Sequence, residues 1–181
     1  RDYDLRFELF NRLNTGGSPL TNQEIRNSLY RSISSKFNDF LKEMAGNKDF
    51  IRSVDVPKEQ VDQLYLAELV LRYMSLYQNR KNVKKSIAQH MTDFMKDAVL
   101  NKKFDYKRYQ LVFDKTFEIL KPLGKGVFNS RNGKFSTAIY DTTVIGIAEN
   151  IHLYSGIDPQ VLRNKVKEVR SDDVYQAMTI S

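Results

Sequence analysis

Residues 7–27 read Phe7-Glu8-Leu9-Phe10-Asn11-Arg12-Leu13-Asn14-Thr15-Gly16-Gly17-Ser18-Pro19-Leu20-Thr21-Asn22-Gln23-Glu24-Ile25-Arg26-Asn27. This stretch predicts two helices joined by a tight glycine loop. Just before and within it, Leu5, Leu9 and Leu13 recur at every fourth position. That spacing places them on one face of a helix over roughly residues 4 to 13. The first half of the stretch is therefore helical.

The loop and the second helix carry well-known terminal signals. Gly16 and Gly17 allow a positive φ without a Cβ clash, and Pro19 prevents an immediate return to helix. Thr21 followed three residues later by Glu24 has the spacing of a capping box, in which each side chain bonds the other residue's amide. The second helix therefore begins directly after Thr21.

Polar side chains crowd this loop more than a structural helix turn requires. They are Arg12, Asn14, Thr15, Gln23, Glu24, Arg26 and Asn27. In one interpretation the loop amides bind a phosphate with help from Arg12 and Arg26, because glycine loops beside helix starts present N–H groups to anions. In the other, the segment is an ordinary helix turn with capping. The residues alone favour the turn and leave both open, since no Walker-type Gly-Lys-Ser/Thr follows.

The segment from Phe10 to Arg26 resembles the signature F-x-R-L-N-x-G-G-x-x-L-x-x-Q-E-I-R of a prokaryotic domain family. That family forms the N-terminal domain of GmrSD-type restriction endonucleases and related anti-phage proteins. Two later segments, 68–73 and 134–141, resemble the helical part of the family more loosely. The family's ParB-like region carries an Asp-Gly-Gln-Gln-Arg motif, which this sequence lacks. We therefore expect a fragment that corresponds to the C-terminal helical part of the family domain.

The resemblance implies a function for the intact protein. It would bind and hydrolyse a nucleotide, GTP or ATP with Mg²⁺, and help to restrict phage or modified DNA. The fragment alone would have no catalytic residue, and the missing ParB-like segment would be its partner. The expected ligand-binding residues are Arg12, Asn14, Thr15, Gly16, Gly17, Gln23 and Arg26. In this scheme Asn14 and Gln23 hydrogen-bond the ligand or the absent segment, and the two arginines meet its charge.

Composition narrows the class of protein. The chain has 181 residues, enough for one domain with a hydrophobic core. It has no cysteine, which excludes disulfides and thiolate metal sites. Neither His90 nor His152 has an acidic residue at i+4 spacing, so we expect no metal site. No signal peptide or long apolar run is visible, so we expect a cytoplasmic protein without a membrane partner.

The positive charge offers an alternative function. Lys and Arg number 29 against 22 acidic residues, giving a net charge of +7, which favours polyanionic partners. The basic residues that we expect to contact nucleic acid are Lys102, Lys103, Lys107, Arg108, Arg131 and Lys134. The alternative is therefore a non-enzymatic helical module that binds DNA or a partner subunit. Solvated helix faces explain any single cluster better, although the clusters together are more suggestive, and a simple scaffold for the ParB-like part is a third possibility.

The remaining periodicity predicts an all-α orthogonal bundle of about seven to nine helices in a single domain, residues 1–181. A helix that begins near Pro57 and includes Glu68 is apolar around much of its circumference, which predicts a central position. Residues 136–150 contain β-branched residues that a strand would also accept, but their length favours a helix. Asp141 lies within that apolar segment, and we expect it to pair with Arg12, Arg26 or Arg72.

Overall fold

The computed structural model describes residues 5, 6, 9, 12, 19–54, 64–83, 86–130 and 132–172. Within this part of the chain there are nine α-helices, two short 3₁₀ turns and no strand, and the extended backbone is limited to one isolated bridge between Asn129 and Phe135. The prediction of an all-α protein with seven to nine helices is therefore confirmed. The four described positions nearest the N-terminus, Leu5, Arg6, Leu9 and Arg12, are also helical.

The helices are labelled in chain order. They are α1 (Asn22–Arg31), α2 (Ser35–Ala45), α3 (Lys48–Ser53), α4 (Tyr65–Asn79), α5 (Ile87–Leu100), α6 (Tyr106–Leu120), α7 (Thr137–Glu149), α8 (Ile151–Tyr154) and α9 (Pro159–Ser171). The 3₁₀ turns, Arg80–Asn82 and Lys121–Leu123, directly follow α4 and α6.

The chain divides into two compact units, which are described separately. Unit 1 comprises Arg1–Gly46 and Pro57–Tyr106, and unit 2 comprises Asn47–Val56 and Lys107–Ser181. The sequence contains no Pro/Gly-rich linker between them, which is why one domain over 1–181 was predicted. That single domain stays a prediction.

In unit 1, α4 packs against α1, α2 and α5. Its buried residues cover most of the helix circumference, as expected of a helix with partners on several sides. They are Ala67, Leu69, Val70, Leu71, Tyr73, Met74, Ser75 and Leu76. The predicted central position of this helix is confirmed, but its predicted start near Pro57 is wrong, because Leu64 adopts a left-handed φ of 62° and α4 begins only at Tyr65.

The helix starts follow the capping signals in the sequence. The Thr21 hydroxyl accepts a hydrogen bond from the Glu24 amide, and the Glu24 carboxylate accepts one from the Thr21 amide. The predicted capping box is therefore confirmed. Ser136 and Asp158 cap α7 and α9 in the same way, through side-chain oxygens that accept helix amides.

Unit 2 is held together by aromatic packing. Phe50 of α3 is fully buried, and its ring centroid lies 5.3 Å from that of Phe113 and 5.0 Å from that of Phe117, both on α6. The segment that could have been helix or strand is helix α7. Helix α9 ends at Ser171, and residues 173–181 lie outside the described part of the chain. No helix among the described residues has the length and apolar character needed to cross a membrane.

Candidate functional site

Two of the predicted ligand-binding residues, Gln23 and Arg26, are buried residues of α1. Gln23 and Arg26 each have 0% of their surface exposed. They are one turn apart, so their side chains lie on the same side of the helix. Ile25 and Tyr30 of the same helix are also buried. Burial of a full guanidinium group is unusual, because an ion loses its hydration unless it is paired.

Two of the three nitrogens of the Arg26 guanidinium are paired. Its Nε–H donates to Gln23 Oε1 at 3.1 Å, and its Nη2 donates to Glu68 Oε1 at 2.9 Å. The second bond is an ion pair between α1 and α4 in which the Glu68 side chain is 27% exposed. Gln23 completes the chain of bonds by donating from Nε2 to Asn27 Oδ1 at 3.1 Å. The network therefore joins two helices through one buried cation.

The third nitrogen, Nη1, is buried and has no hydrogen-bond partner among the described residues. Desolvation lowers the pKa of Arg26, and the charge of Glu68 acts in the opposite direction. A guanidinium group starts from so high a pKa that Arg26 stays protonated at physiological pH. Nη1 is thus a charged donor, fixed in direction by its two paired neighbours, with no acceptor in the described structure.

The predicted ligand-binding residues that the structure describes differ in their exposure to solvent. Arg12 is exposed on its helical segment, whereas Gln23 and Arg26 are fully buried. The amide of Gln23 is used internally at both its oxygen and its nitrogen. Asn14, Thr15, Gly16 and Gly17 lie outside the described residues, so the loop contribution stays a prediction.

Glu68 is the residue of this network that the sequence did not single out as a partner. The expected ion pair was between Asp141 and an arginine such as Arg26, but the charge that meets Arg26 is Glu68. Asp141 itself is half-buried. A signal for Glu68 existed: it is the one acidic residue in the apolar helix α4, where an unpaired carboxylate would be costly.

The basic residues predicted to contact nucleic acid are all exposed where they are described. This holds for Lys102, Lys103, Lys107, Arg108 and Lys134. Arg131 lies outside the described residues. Lys102 and Lys103 form the turn between α5 and α6 and belong to unit 1, whereas the other three belong to unit 2.

Unit 1 also contains a polar cleft between α4 and α5, with a volume of about 470 Å³. His90, Asp93 and Asp97 line it from α5. The Nε2 of His90 donates to the carbonyl of Ser75 at 3.0 Å, so this side chain serves helix packing. No group of three or more His, Asp or Glu side chains in the described ranges could hold a metal ion.

Comparison with known proteins adds no relative. No protein-family model, curated protein or solved structure matches this chain.

Proposed function

We propose that this chain is the helical part of a GmrSD-like prokaryotic defence protein. The intact protein would bind and hydrolyse GTP or ATP and restrict phage or modified DNA. Support comes from the motif over residues 10–26 and from the capping box within it, which begins α1 directly after Thr21. The all-α structure fits the helical part of the family that the motif resembles.

The observation that carries this proposal is the open Nη1 of Arg26. A buried donor without an acceptor costs about 1–3 kcal/mol, which is a large fraction of the stability of a domain. A chain that keeps such a donor on the helix that follows the glycine loop in the sequence is best explained if a further oxygen atom meets it. We assign that acceptor to the nucleotide or to the ParB-like segment that binds it.

The remaining roles follow from exposure. Arg12 is exposed, so its side chain is accessible to the phosphate charge of the nucleotide. Gln23 is fully buried and bonded to Arg26 and Asn27, and it therefore positions Arg26 instead of contacting the ligand. Mg²⁺ would arrive on the nucleotide phosphates, because the described side chains offer it no cage of their own.

The experiment is a titration of GTP and of ATP, each with Mg²⁺, into the intact protein. Arg12→Ala is compared with Arg31→Ala, which removes an exposed arginine at the C-terminal end of α1. A charge-assisted contact is worth about 1.5–3 kcal/mol, so Arg12→Ala should weaken binding about tenfold or more. Arg31→Ala should leave the affinity unchanged.

Two results would count against the proposal. Equal affinities for wild type and Arg12→Ala would remove Arg12 from the site. Failure of both nucleotides to bind the intact protein would remove the nucleotide function altogether.

A further inference from the structure

We propose that the turn between α5 and α6 in unit 1, together with the start of α2, is a surface that binds the phosphate backbone of nucleic acid. The surface is defined by Lys36, Lys102, Lys103 and the adjoining Tyr106. It does not rest on the proposed nucleotide site, because it uses other residues on other helices.

The turn points its charges outward and its aromatic ring inward. The side chain of Asn101 accepts a hydrogen bond from the Lys103 amide at 2.9 Å, and the Asn101 carbonyl accepts one from the Phe104 amide at 3.0 Å. These bonds fix the backbone, so Lys102 and Lys103 are both exposed while Phe104 is half-buried. Two adjacent lysines are thereby presented by a rigid turn.

An aromatic cluster anchors the turn to α2. The ring centroid of Phe104 lies 5.4 Å from that of Phe37 and 4.9 Å from that of Tyr106. Lys36 of α2 contacts this cluster, since its Nζ lies 4.5 Å from the centroid of the Tyr106 ring. The cluster therefore places a lysine from α2 against Tyr106, which closely follows the two lysines of the turn in the chain.

The charges of this surface are available for a partner. No ion pair to an acidic side chain is formed by Lys36, Lys102 or Lys103 within the described ranges, in contrast to Lys115 and Lys121. Residues 102–108 contain four basic residues against one acidic residue. Unpaired lysines at one place on a protein of net charge +7 attract a polyanion and release its counterions.

The geometry favours the phosphate backbone over the bases. Base stacking needs a free aromatic face, but the rings of Phe104 and Tyr106 pack on each other, and Lys36 covers the Tyr106 ring. Binding should therefore be insensitive to sequence. Lysines that contact phosphates but not bases add affinity without distinguishing one base sequence from another.

The experiment measures fluorescence anisotropy of a labelled DNA duplex with the 181-residue chain at several salt concentrations. Each phosphate contact contributes about 0.9 to the slope of log affinity against log salt. The double variant Lys102→Ala/Lys103→Ala should lower that slope by about 2 and weaken binding at least tenfold at about 50 mM salt. A scrambled duplex of the same length should bind equally well.

The matched control is Lys115→Ala/Lys121→Ala, which removes the same charge from lysines that are already paired with Glu118 and Asp49. It should keep most of the wild-type affinity. Equal losses in the two double variants would overturn the proposal, because only net charge would then matter. Absence of binding at about 50 mM salt, or equally tight binding of a glutamate-rich peptide of the same charge, would also overturn it. Circular dichroism confirms that each variant is folded.

Discussion

At the scale of single residues, the ion pair between Arg26 and Glu68 decides how α1 is tied to α4. The two ends of the pair differ in exposure, at 0% for Arg26 and 27% for Glu68. Water can therefore solvate an unpaired Glu68 more readily than an unpaired Arg26. Removal of one member of a buried pair is costly because it leaves the other charge uncompensated.

This asymmetry predicts unequal costs for the two single variants. Glu68→Ala should destabilise the protein by about 3 kcal/mol, because it leaves a buried guanidinium without a counter-charge. Arg26→Met should cost clearly less, and the double variant Arg26→Met/Glu68→Leu should recover most of the loss. Urea unfolding of the three variants measures these differences. A larger loss for Arg26→Met than for Glu68→Ala would show that the buried cation is not the costly partner.

The sequence could predict part of this network. It identified Gln23 and Arg26 as members of one set, because both are polar residues near the glycine loop and both match the family motif that the segment resembles. It could not identify Glu68, which is 42 residues away from Arg26 in the chain. Such long-range partners depend on how helices pack, and periodicity within one helix carries no information about that.

At the scale of elements, local signals predicted the helices well because each helix is specified by its own residues. Capping side chains mark the starts of α1, α7 and α9, and apolar periodicity marks their buried faces. The exposed Leu5 and Leu9, at 55% and 47%, show the limit of this reasoning. A stripe of leucines predicts a helix, but burial requires a partner surface that the stripe cannot specify.

The capping box should contribute measurably to stability. Thr21→Ala removes the acceptor for the Glu24 amide and should cost about 1 kcal/mol in the free energy of unfolding. Thr21→Ser keeps the hydroxyl and should cost much less. Chemical denaturation of both variants tests this, and equal stabilities for Ala and Ser at this position would argue against a working cap.

Substitution of a glycine in α7 should increase the stability of the protein. Gly146 lies inside the helix, is exposed, and a Cβ there would meet nothing within 4 Å. Gly146→Ala should therefore stabilise the protein by about 0.5–1 kcal/mol. Gly124 has equally free space but a φ of 73° and a ψ of −164°, which only glycine adopts readily. Gly124→Ala should destabilise by about 1–3 kcal/mol, so thermal unfolding should show shifts of opposite sign.

At the scale of the whole molecule, the chain passes from unit 1 into unit 2 at residues 47–56 and then returns. The short helix α3 thereby contributes Phe50 to the aromatic core that α6 forms in unit 2. Its start is also fixed there, because Asn47 Nδ2 donates to Asp114 Oδ1 at 2.7 Å. Nothing in the local sequence around Phe50 indicates which later helix receives it.

Loss of this aromatic side chain should weaken unit 2. Phe50→Ala should cost about 3–5 kcal/mol, because it removes a fully buried ring and leaves a cavity. Hydrogen exchange should show the loss as reduced protection of the α6 amides around Phe113 and Phe117. Ile51→Ala is the control, since Ile51 is 44% exposed beside it and should change protection little. Equal effects of the two variants would contradict the proposed core.

The most direct test of the candidate site records the guanidinium nitrogen resonances of arginine in isotope-labelled intact protein, with and without saturating GTP or ATP. We predict a slowly exchanging Arg26 Nε–H, held by Gln23, and an Nη1 resonance that shifts when nucleotide is added. The resonances of exposed Arg31 should not move. An Arg26 signal that stays unchanged while the nucleotide binds would contradict the role given to this residue.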